Sequence, residues 1–276
     1  MNFDKIILVT LEEDMPGGDI TSVASVGKDA RAKGAFKAKA DGVICGMEIA
    51  KRTFELVGGE VSLRCLCKDG DFVKKGDVLA EIEGNARSIL AGERTALNLM
   101  QRASGIATAT RQAVESVKGT NAKITDTRKT MPGLRMLDKY AVRVGGGTNH
   151  RYSLSDGVLI KDNHIAAAGG LTNAVLSAKA YVPHTLKVEV ETETLEQVKE
   201  ALSAGADIIM LDNMSYEMMA EAVKLIDGKA VTEASGNMGE RDLKSVAETG
   251  VDLISIGALT HSVKALDISL KFEIIK

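Results

Sequence analysis

The chain has 276 residues, of which 45% are hydrophobic and 26% charged, and its formal net charge is -3. This length is sufficient for one large domain or two moderate ones, and the composition is ordinary for a globular protein. The slight negative charge argues against a nucleic-acid partner, so any cationic site must be local.

The first segment, MNFDKIILVTLEEDMPGGDITS, carries acidic residues early and has no basic region followed by a long apolar run. We therefore expect no signal peptide. No stretch of the sequence reaches the roughly 18 apolar residues that a membrane helix needs. The sequence predicts a cytoplasmic protein without a membrane partner.

The first hundred residues mix short strands and helices without regular alternation. Apolar patterning predicts strands over Lys33–Ala40 and Val61–Cys67 and a helix over Gly46–Leu56. The stretch DGDFVKKGDVLAEIEG, from Asp69, resembles the β-turn-β units of biotinyl carrier folds. It has no Met-Lys-Met at its tip, so we interpret it as a structural hairpin rather than a swinging arm.

Two cysteines, Cys65 and Cys67, lie on one face of the second predicted strand. They are either part of a metal site or two buried thiols. We favour buried thiols, because no second pair of Cys or His residues lies at ligand spacing.

A strongly helical segment, Asn85–Thr110, separates this region from the rest of the chain. After it, short β-rich runs alternate with helical stretches such as Leu195–Ala204 and Tyr216–Ile226. This alternation implies parallel strands joined by crossover helices. The predicted strands are Lys123–Thr127, Gly157–Lys161, Leu186–Glu191, Asp207–Asp212, Ala230–Ser235 and Asp252–Gly257.

Polar or glycine residues end or follow each of these strands. They are Arg128 with Lys129, Lys161, Glu191, Asp212, Ser235 with Gly236, and Gly257. In a β/α barrel the carboxyl ends of all strands converge on one face, which holds the active site. A flat doubly wound sheet is the alternative, since it also binds ligands at strand ends. Such a sheet would not bring all of these ends together.

Cations are concentrated in two segments, Thr125–Arg135 and Gly145–Ile165. Any one of them alone is most simply a solvated surface charge. Together they indicate a concave site for a ligand with several negative charges, because Arg binds carboxylates and phosphates in pairs of hydrogen bonds and Lys adds a point charge. The residues are Arg128, Lys129, Arg135, His150, Arg151, Lys161 and His164.

Glu191 and Asp212 are candidate paired carboxylates. They could neutralise neighbouring lysines, or bind Mg²⁺ or ribose hydroxyls on a phosphorylated sugar, since Mg²⁺ prefers few carboxylates plus substrate phosphates. A glycosidase would also use two carboxylates, but a neutral sugar does not need this many cations. Farther on, Ala234–Gly236 and Ile256–Ser262 resemble loops that bind a phosphate late in a barrel.

Long motifs in the sequence resemble the quinolinate phosphoribosyltransferase family, and together they cover nearly the whole chain in the family's order. They are Gly18–Ser22, Glu93–Thr108, Thr125–Arg135, Gly145–His164, Lys187–Glu191, Ala204–Asn213, Glu233–Gly236 and Thr249–Leu270. The sequence departs from the family at Asn237, where a second glycine usually follows Ser-Gly.

The resemblance implies an α/β fold, with an N-terminal α/β sandwich joined to an incomplete, open α/β barrel of about seven strands. We expect the sandwich over residues 1–105 and the barrel over 106–267, with the tail at about 268–276 returning to the sandwich. The implied reaction transfers phosphoribosyl from phosphoribosyl pyrophosphate to quinolinate and releases CO₂, with Mg²⁺ as cofactor. The product is nicotinate mononucleotide, as in de novo NAD biosynthesis.

The resemblance also implies roles for individual residues. Quinolinate would contact Arg94, Thr127, Arg128, His150, Arg151 and Lys161. Phosphoribosyl pyrophosphate and its metal would contact Lys129, Glu191, Asp212, Ser235, Gly236, Gly257 and His261. Catalytic roles fall to Lys129, Lys161, Glu191 and Asp212, with Glu191 and Asp212 nearest the Mg²⁺. Arg94 would enter the active site of a neighbouring subunit in a homodimer or larger even-numbered assembly.

Two alternatives stay open at this point. One is a paralogous phosphoribosyltransferase on the same scaffold, either the molybdenum-linked homologue or a nicotinate-specific enzyme. The other is a non-catalytic anion-binding protein, which would not need Glu191 and Asp212 beside the cations.

Overall fold

The computed structural model of the protein describes residues 2–275. Its helices are α1 (Asp4–Asp14), α2 (Ile20–Ser25), α3 (Met47–Val57), α4 (Ala86–Ser116), α5 (Arg135–Gly145), α6 (Asp162–Ala167), α7 (Leu171–Tyr181), α8 (Leu195–Ser203), α9 (Tyr216–Ile226), α10 (Leu243–Glu248) and α11 (Ala258–His261). Its strands are β1 (Arg31–Ala38), β2 (Gly42–Val43), β3 (Ser62–Cys65), β4 (Phe72–Val73), β5 (Val78–Asn85), β6 (Lys123–Thr125), β7 (Val158–Ile160), β8 (Val188–Thr192), β9 (Ile208–Asp212), β10 (Val231–Ser235), β11 (Leu253–Ser255) and β12 (Ile268–Ile275).

The described chain forms two compact units. The first contains residues 2–111, 131–146 and 263–275, and the second contains residues 112–130 and 147–262. None of the helices in the described residues combines the length and the apolar character that a membrane crossing requires.

The first unit is built on an antiparallel sheet in the order β12-β1-β5-β3. Its inner face is apolar, and Phe36 of β1 packs edge-on against Phe54 of α3 with ring centroids 6.2 Å apart. The predicted strands over 33–40 and 61–67 and the helix over 46–56 correspond to β1, β3 and α3 within about two residues at each end. Cys65 and Cys67 are half-buried free thiols, and burial raises the pKa of Cys67 to about 11.

The prediction of a hairpin from Asp69 is wrong. Strand β4 pairs with β2, whereas β5 runs between β1 and β3, so the two strands belong to different sheets. The turn between them is fixed by distant partners: the N–H of Lys75 donates to Asp41 at 2.7 Å, and that of Gly76 to the carbonyl of Ala38 at 2.8 Å. The local turn pattern was clear, but strand pairing is non-local and does not follow from it.

Helix α4 is six residues longer at its C-terminal end than the predicted Asn85–Thr110. The chain packs closely against it, and a Cβ at Gly105 would lie 2.4 Å from the carbonyl oxygen of Lys264. This approach places the following tail beside the first sheet, where β12 pairs with β1 over its full length.

Helix α5 belongs to the first unit, although the boundary expected at 105/106 assigns it to the barrel. Arg102 of α4 donates two hydrogen bonds of 2.8 Å to the fully buried Asp138 of α5. Because a charge in the interior needs such a partner, this pair ties α5 to α4.

The second unit is a parallel sheet in the order β6-β11-β10-β9-β8-β7, and helices connect its strands. Its six strands coincide with the six predicted runs, and a parallel bridge between Thr125 and Thr148 adds a further strand-like segment beside β6. This arrangement agrees with the predicted fold class. Helices α8 and α9 are capped at their N-terminal ends by Thr194 and Ser215, whose hydroxyls accept backbone N–H groups at 3.2 Å.

Candidate active site

A cavity of about 380 Å³ lies in the second unit, where the carboxyl ends of the parallel strands meet. This is the face at which barrel enzymes carry their active sites. Its walls are formed by Thr127, Arg128, Lys129, His150, Arg151, Leu159, Lys161, Glu191, Met210, Asp212, Asn213, Glu233, Ser235, Gly236, Asn237 and Ser255. Ten of the thirteen residues that we expect at the site are among them.

The cationic side of the cavity is densely charged. Lys161, directly after β7, forms an ion pair with Glu191 of β8. The guanidinium of Arg151 donates to the carbonyl of Gly157 at 2.8 Å. Burial and then the neighbouring Arg128 lower the pKa of Arg151. An anionic ligand would relieve this repulsion between the two arginines.

Lys129 lies beside two predicted residues that do not line the cavity. A Cβ at Gly257 would be 3.0 Å from Cδ of Lys129 and 3.1 Å from the ring of His261, so glycine permits both side chains to approach. The hydroxyl of Thr260 donates to the carbonyl of Lys129 at 2.9 Å. Gly257 and His261 therefore lie adjacent to the site, behind Lys129.

Asn237, where the family usually has glycine, adopts a left-handed backbone with φ 51°. Asparagine tolerates this conformation better than most residues with a side chain. Gly236 before it has φ 92°. The substitution therefore leaves the loop after β10 in a backbone conformation that glycine also adopts.

Buried acidic side chains surround His150, which lines the cavity. Nε2 of His150 is 3.1 Å from Glu189 and 3.7 Å from Glu233, and both carboxylates are almost fully buried. The N–H of His150 donates to Asp126 at 2.9 Å, and the N–H of Arg151 donates to Nδ1 of His150 at 2.8 Å. Nδ1 therefore acts as an acceptor, and Nε2 carries the ring proton toward Glu189.

Burial, and then the negative charge of Glu189, raise the pKa of Glu233 to about 7. Ionising Glu233 beside another carboxylate in a nearly water-free interior is costly, so Glu233 itself holds a proton up to near neutral pH. His150, Glu189 and Glu233 also bring three ligand atoms within 4.8 Å of one another, a spacing that can hold a cation. Glu191 and Asp212, the residues expected near Mg²⁺, are not in that group.

Three further residues predicted from the sequence lie elsewhere, and one of them, Arg135, begins α5 in the first unit and does not line this cavity. Arg94 is an exposed residue of α4 in the first unit and does not line this cavity. Nδ1 of His164 accepts the backbone N–H of Lys161 at 3.0 Å, so His164 supports the end of β7 rather than the cavity wall.

Several residues of the site were not predicted from the sequence. Glu189 and Glu233 each lie two positions before a predicted site residue on the same strand, Glu191 and Ser235. Because side chains alternate along a strand, this spacing puts both members of each pair on one face. The period-two pattern in VEVE and TEAS was the available signal. Leu159, Met210, Asn213 and Ser255 complete the walls, and no pattern in the sequence distinguishes them.

Two family models match the chain. The C-terminal domain of quinolinate phosphoribosyl transferase matches residues 106–271, and the N-terminal domain matches residues 19–104. The probable nicotinate-nucleotide pyrophosphorylase (carboxylating) of Bacillus subtilis is 48% identical over 94% of this chain and 89% of its own length. The chloroplastic nicotinate-nucleotide pyrophosphorylase (carboxylating) of Arabidopsis thaliana is 46% identical over 97% of this chain and 82% of its own.

The crystal structure of nicotinate-nucleotide pyrophosphorylase from Ehrlichia chaffeensis superimposes with a TM-score of 0.94 and 42% sequence identity. The match covers 99% of this chain and 99% of that one. Both halves of the sequence and the whole fold therefore agree, and the chain belongs to the quinolinate phosphoribosyltransferase family.

Proposed function

We propose that the chain transfers a phosphoribosyl group from phosphoribosyl pyrophosphate to quinolinate, releasing pyrophosphate and CO₂ and forming nicotinate mononucleotide. It would act in de novo NAD biosynthesis, in the cytoplasm. The observation that supports this most is one cavity that combines four lysine and arginine residues with two carboxylates at strand ends. They are Arg128, Lys129, Arg151, Lys161, Glu191 and Asp212.

Quinolinate carries two adjacent carboxylates, and the sugar donor carries a phosphate and a pyrophosphate. Two such anions repel each other, and only a cationic cavity can hold both. Arg128, Arg151 and Lys161, with Thr127 and His150, would bind quinolinate. The crowded arginine pair suits two carboxylates, since each guanidinium can form paired hydrogen bonds with one of them.

Lys129, Glu191, Asp212, Ser235 and Gly236 would bind the sugar donor, with Gly257 and His261 beside Lys129. Glu191 is neutralised by Lys161, which leaves Asp212 as the less compensated carboxylate of this pair. That donor set fits Mg²⁺, which prefers few protein carboxylates together with phosphate oxygens. When bound, Mg²⁺ would neutralise charge on the departing pyrophosphate.

The residues of the chain would mainly position the reactants and stabilise charge. Lys129 and the loop after β10 would hold the leaving pyrophosphate as the bond to the anomeric carbon breaks. The ring nitrogen of quinolinate then attacks that carbon. The positively charged ring nitrogen stabilises the electron pair left at C2 when that carboxylate departs as CO₂, and C2 then takes a proton from water. The protein need therefore only orient the carboxylate.

Arg94 is a separate part of the proposal, because it is exposed on α4 and absent from the cavity wall. We expect it to complete the active site of a neighbouring subunit in a homodimer or larger even-numbered assembly. Subunit mixing tests this: Arg94→Ala and Lys161→Ala homodimers should both be nearly inactive. Mixed dimers would hold one doubly defective and one intact site, and should recover up to about half of normal activity per dimer. No recovery in confirmed heterodimers would contradict a shared site.

The decisive experiment for the function is a product assay. Purified protein should release CO₂ and form nicotinate mononucleotide from quinolinate, and only when the sugar donor and Mg²⁺ are present. Nicotinate in place of quinolinate is the matched control. Activity with nicotinate and none with quinolinate would contradict the substrate assignment and favour a nicotinate-specific paralogue. Binding without turnover would favour a non-catalytic anion-binding protein.

A further inference from the structure

Asn213 lines the cavity directly after β9 and has no role in the function proposed above. Its backbone is left-handed, with φ 54°. Glycine adopts this conformation without strain, and asparagine is among the few other residues that tolerate it. Because glycine would fit this backbone without strain, the contacts of the Asn213 side chain, and not the backbone, account for an asparagine at this position.

The side-chain amide of Asn213 holds the carboxylate of Asp212. Its Nδ2 donates to Oδ2 of Asp212 at 2.6 Å. An ionised carboxylate only accepts hydrogen bonds, so the NH₂ of the amide must face it. The bond occupies one oxygen of Asp212 and leaves Oδ1 to meet a ligand in the cavity.

Asn213 also contacts the loop after β10. Its backbone N–H donates to the carbonyl of Ser235 at 3.1 Å. A Cβ at Gly236 would lie 2.2 Å from Oδ1 of Asn213 and 2.7 Å from its backbone nitrogen. Asn213 therefore fills the space that any side chain at position 236 would need, and only glycine fits there.

The segment that follows Asn213 is fixed from the other side. Arg241 donates to the carbonyl of Met214 at 2.9 Å, and its guanidinium lies 4.7 Å from the ring centroid of Tyr216. The hydroxyl of Ser215 caps α9. The segment that carries Asn213 is therefore held in place by other residues. Because Asn213 is itself fixed, its hydrogen bonds can fix the positions of Asp212 and of the loop after β10.

We infer that Asn213 is a positioning residue for the phosphoribosyl donor: it orients the carboxylate of Asp212 and fixes its separation from the Ser235–Gly236 loop. The inference rests on the proposed function, which places the donor at these two strand ends. The arginines proposed to bind quinolinate lie at other strand ends. Loss of Asn213 should therefore weaken the donor side of the cavity selectively.

The test is Asn213→Asp, which keeps the shape and the tolerance of a left-handed backbone but replaces the donor with an oxygen that repels Asp212. Calorimetry with phosphoribosyl pyrophosphate and Mg²⁺, without quinolinate, should give donor binding at least about tenfold weaker than wild type. The KM for the donor should rise similarly, while the KM for quinolinate and the melting temperature stay close to wild type.

Two further variants make the result decisive. Asn213→Gly keeps the backbone without strain and removes the amide, so it decides the matter if Asn213→Asp folds poorly. Asp227→Gly is the matched control, since Asp227 has φ 50° at the C-terminal end of α9 and lies outside the cavity. It should bind the donor as wild type does.

Wild-type donor affinity in Asn213→Gly, or an equal loss of donor and quinolinate binding, would overturn the inference. Failure of the wild-type protein to bind the donor would overturn both the inference and the proposed function. If the wild type binds the donor but does not convert quinolinate, only the proposed function fails.

Discussion

The four-stranded sheet of the first unit and the six-stranded sheet of the second carry the same charged residue types in different places. In the sheet of the first unit they lie on the solvent face, where Lys33 of β1 and Glu273 of β12 form an exposed pair at 3.3 Å. In the second unit they lie at the ends of strands and inside the sheet, as with Lys161, Glu191 and the buried Glu233. Water weakens the attraction between two exposed charges. A charge inside a cavity is less screened by water, so it interacts more strongly with its neighbours and with a ligand. Position, more than residue type, separates solubilising charge from functional charge.

The largest effect should come from removing a cation of the cavity. Lys161→Ala leaves Glu191 without its partner and removes a charge proposed to face quinolinate. We expect a loss of kcat/KM equivalent to about 2–5 kcal/mol, or roughly thirty- to several thousandfold. Steady-state kinetics checks this, with circular dichroism as evidence of folding. Near-normal kinetics would contradict the proposed role of Lys161 in binding quinolinate.

The next effect concerns the loop after β10. Gly236→Ala forces a side chain onto a backbone with φ 92° and into contact with Asn213. Strain of this kind costs about 1–3 kcal/mol, and relief by movement of the loop should weaken donor binding about tenfold or more. The matched control is Gly27→Ala, where a Cβ meets nothing within 4 Å. Equal donor affinity in the two variants would contradict the crowding at Gly236.

A smaller effect should appear in the pH dependence of stability. Burial and Glu189 raise the folded-state pKa of Glu233 to about 7, so the folded protein holds a proton that the unfolded chain releases at about pH 4.3. The stability that protonated Glu233 contributes to the folded protein is fully present at low pH and is lost as pH rises through 7. Wild-type stability should therefore decline between these pH values relative to Glu233→Gln.

Urea unfolding at pH 5 and pH 8 measures this difference. Glu273→Gln, at an exposed carboxylate on the first sheet, is the control and should follow the wild type. Parallel pH profiles for wild type and Glu233→Gln would show that Glu233 is ionised throughout.

The smallest effect should come from breaking the exposed ion pair of the first sheet. Lys33→Ala removes an ion pair whose side chains are 59% and 73% exposed. Such pairs contribute under about 1 kcal/mol, so the melting temperature should change by no more than about 3 °C and the kinetics not at all. A substantial loss of activity would mean that this face of the first sheet takes part in function.

Much of the second unit could be predicted because its signals are local. Each parallel strand is a short apolar run ending in a polar residue, and the topology of such a sheet brings those ends together. Lys161, Glu191 and Asp212 were placed in this way. Asn213 was not, because its role depends on a left-handed backbone and on the space above Gly236, neither of which a pattern of residue types reveals.

The first unit was harder to predict for a related reason. Its strand pairs join residues far apart in sequence, such as Gly42 with Val73, and a nearby turn signal misled the assignment of β4 and β5. Helix α5 follows the predicted boundary at 105/106 in the sequence but packs with the first unit, through the contact between Arg102 and Asp138. Nothing near either residue in the sequence indicates that partner.

The pairing of β12 with β1 has a consequence for biosynthesis. Strand β12 follows every strand of the second unit in the sequence, so the ribosome makes it after all of them. The sheet that is begun first is therefore the last to be closed. Until then, the edge of β1 exposes backbone groups that can pair with another nascent chain. The strands of the parallel sheet, β6 to β11, all precede β12, so that sheet can assemble while β12 is still being translated.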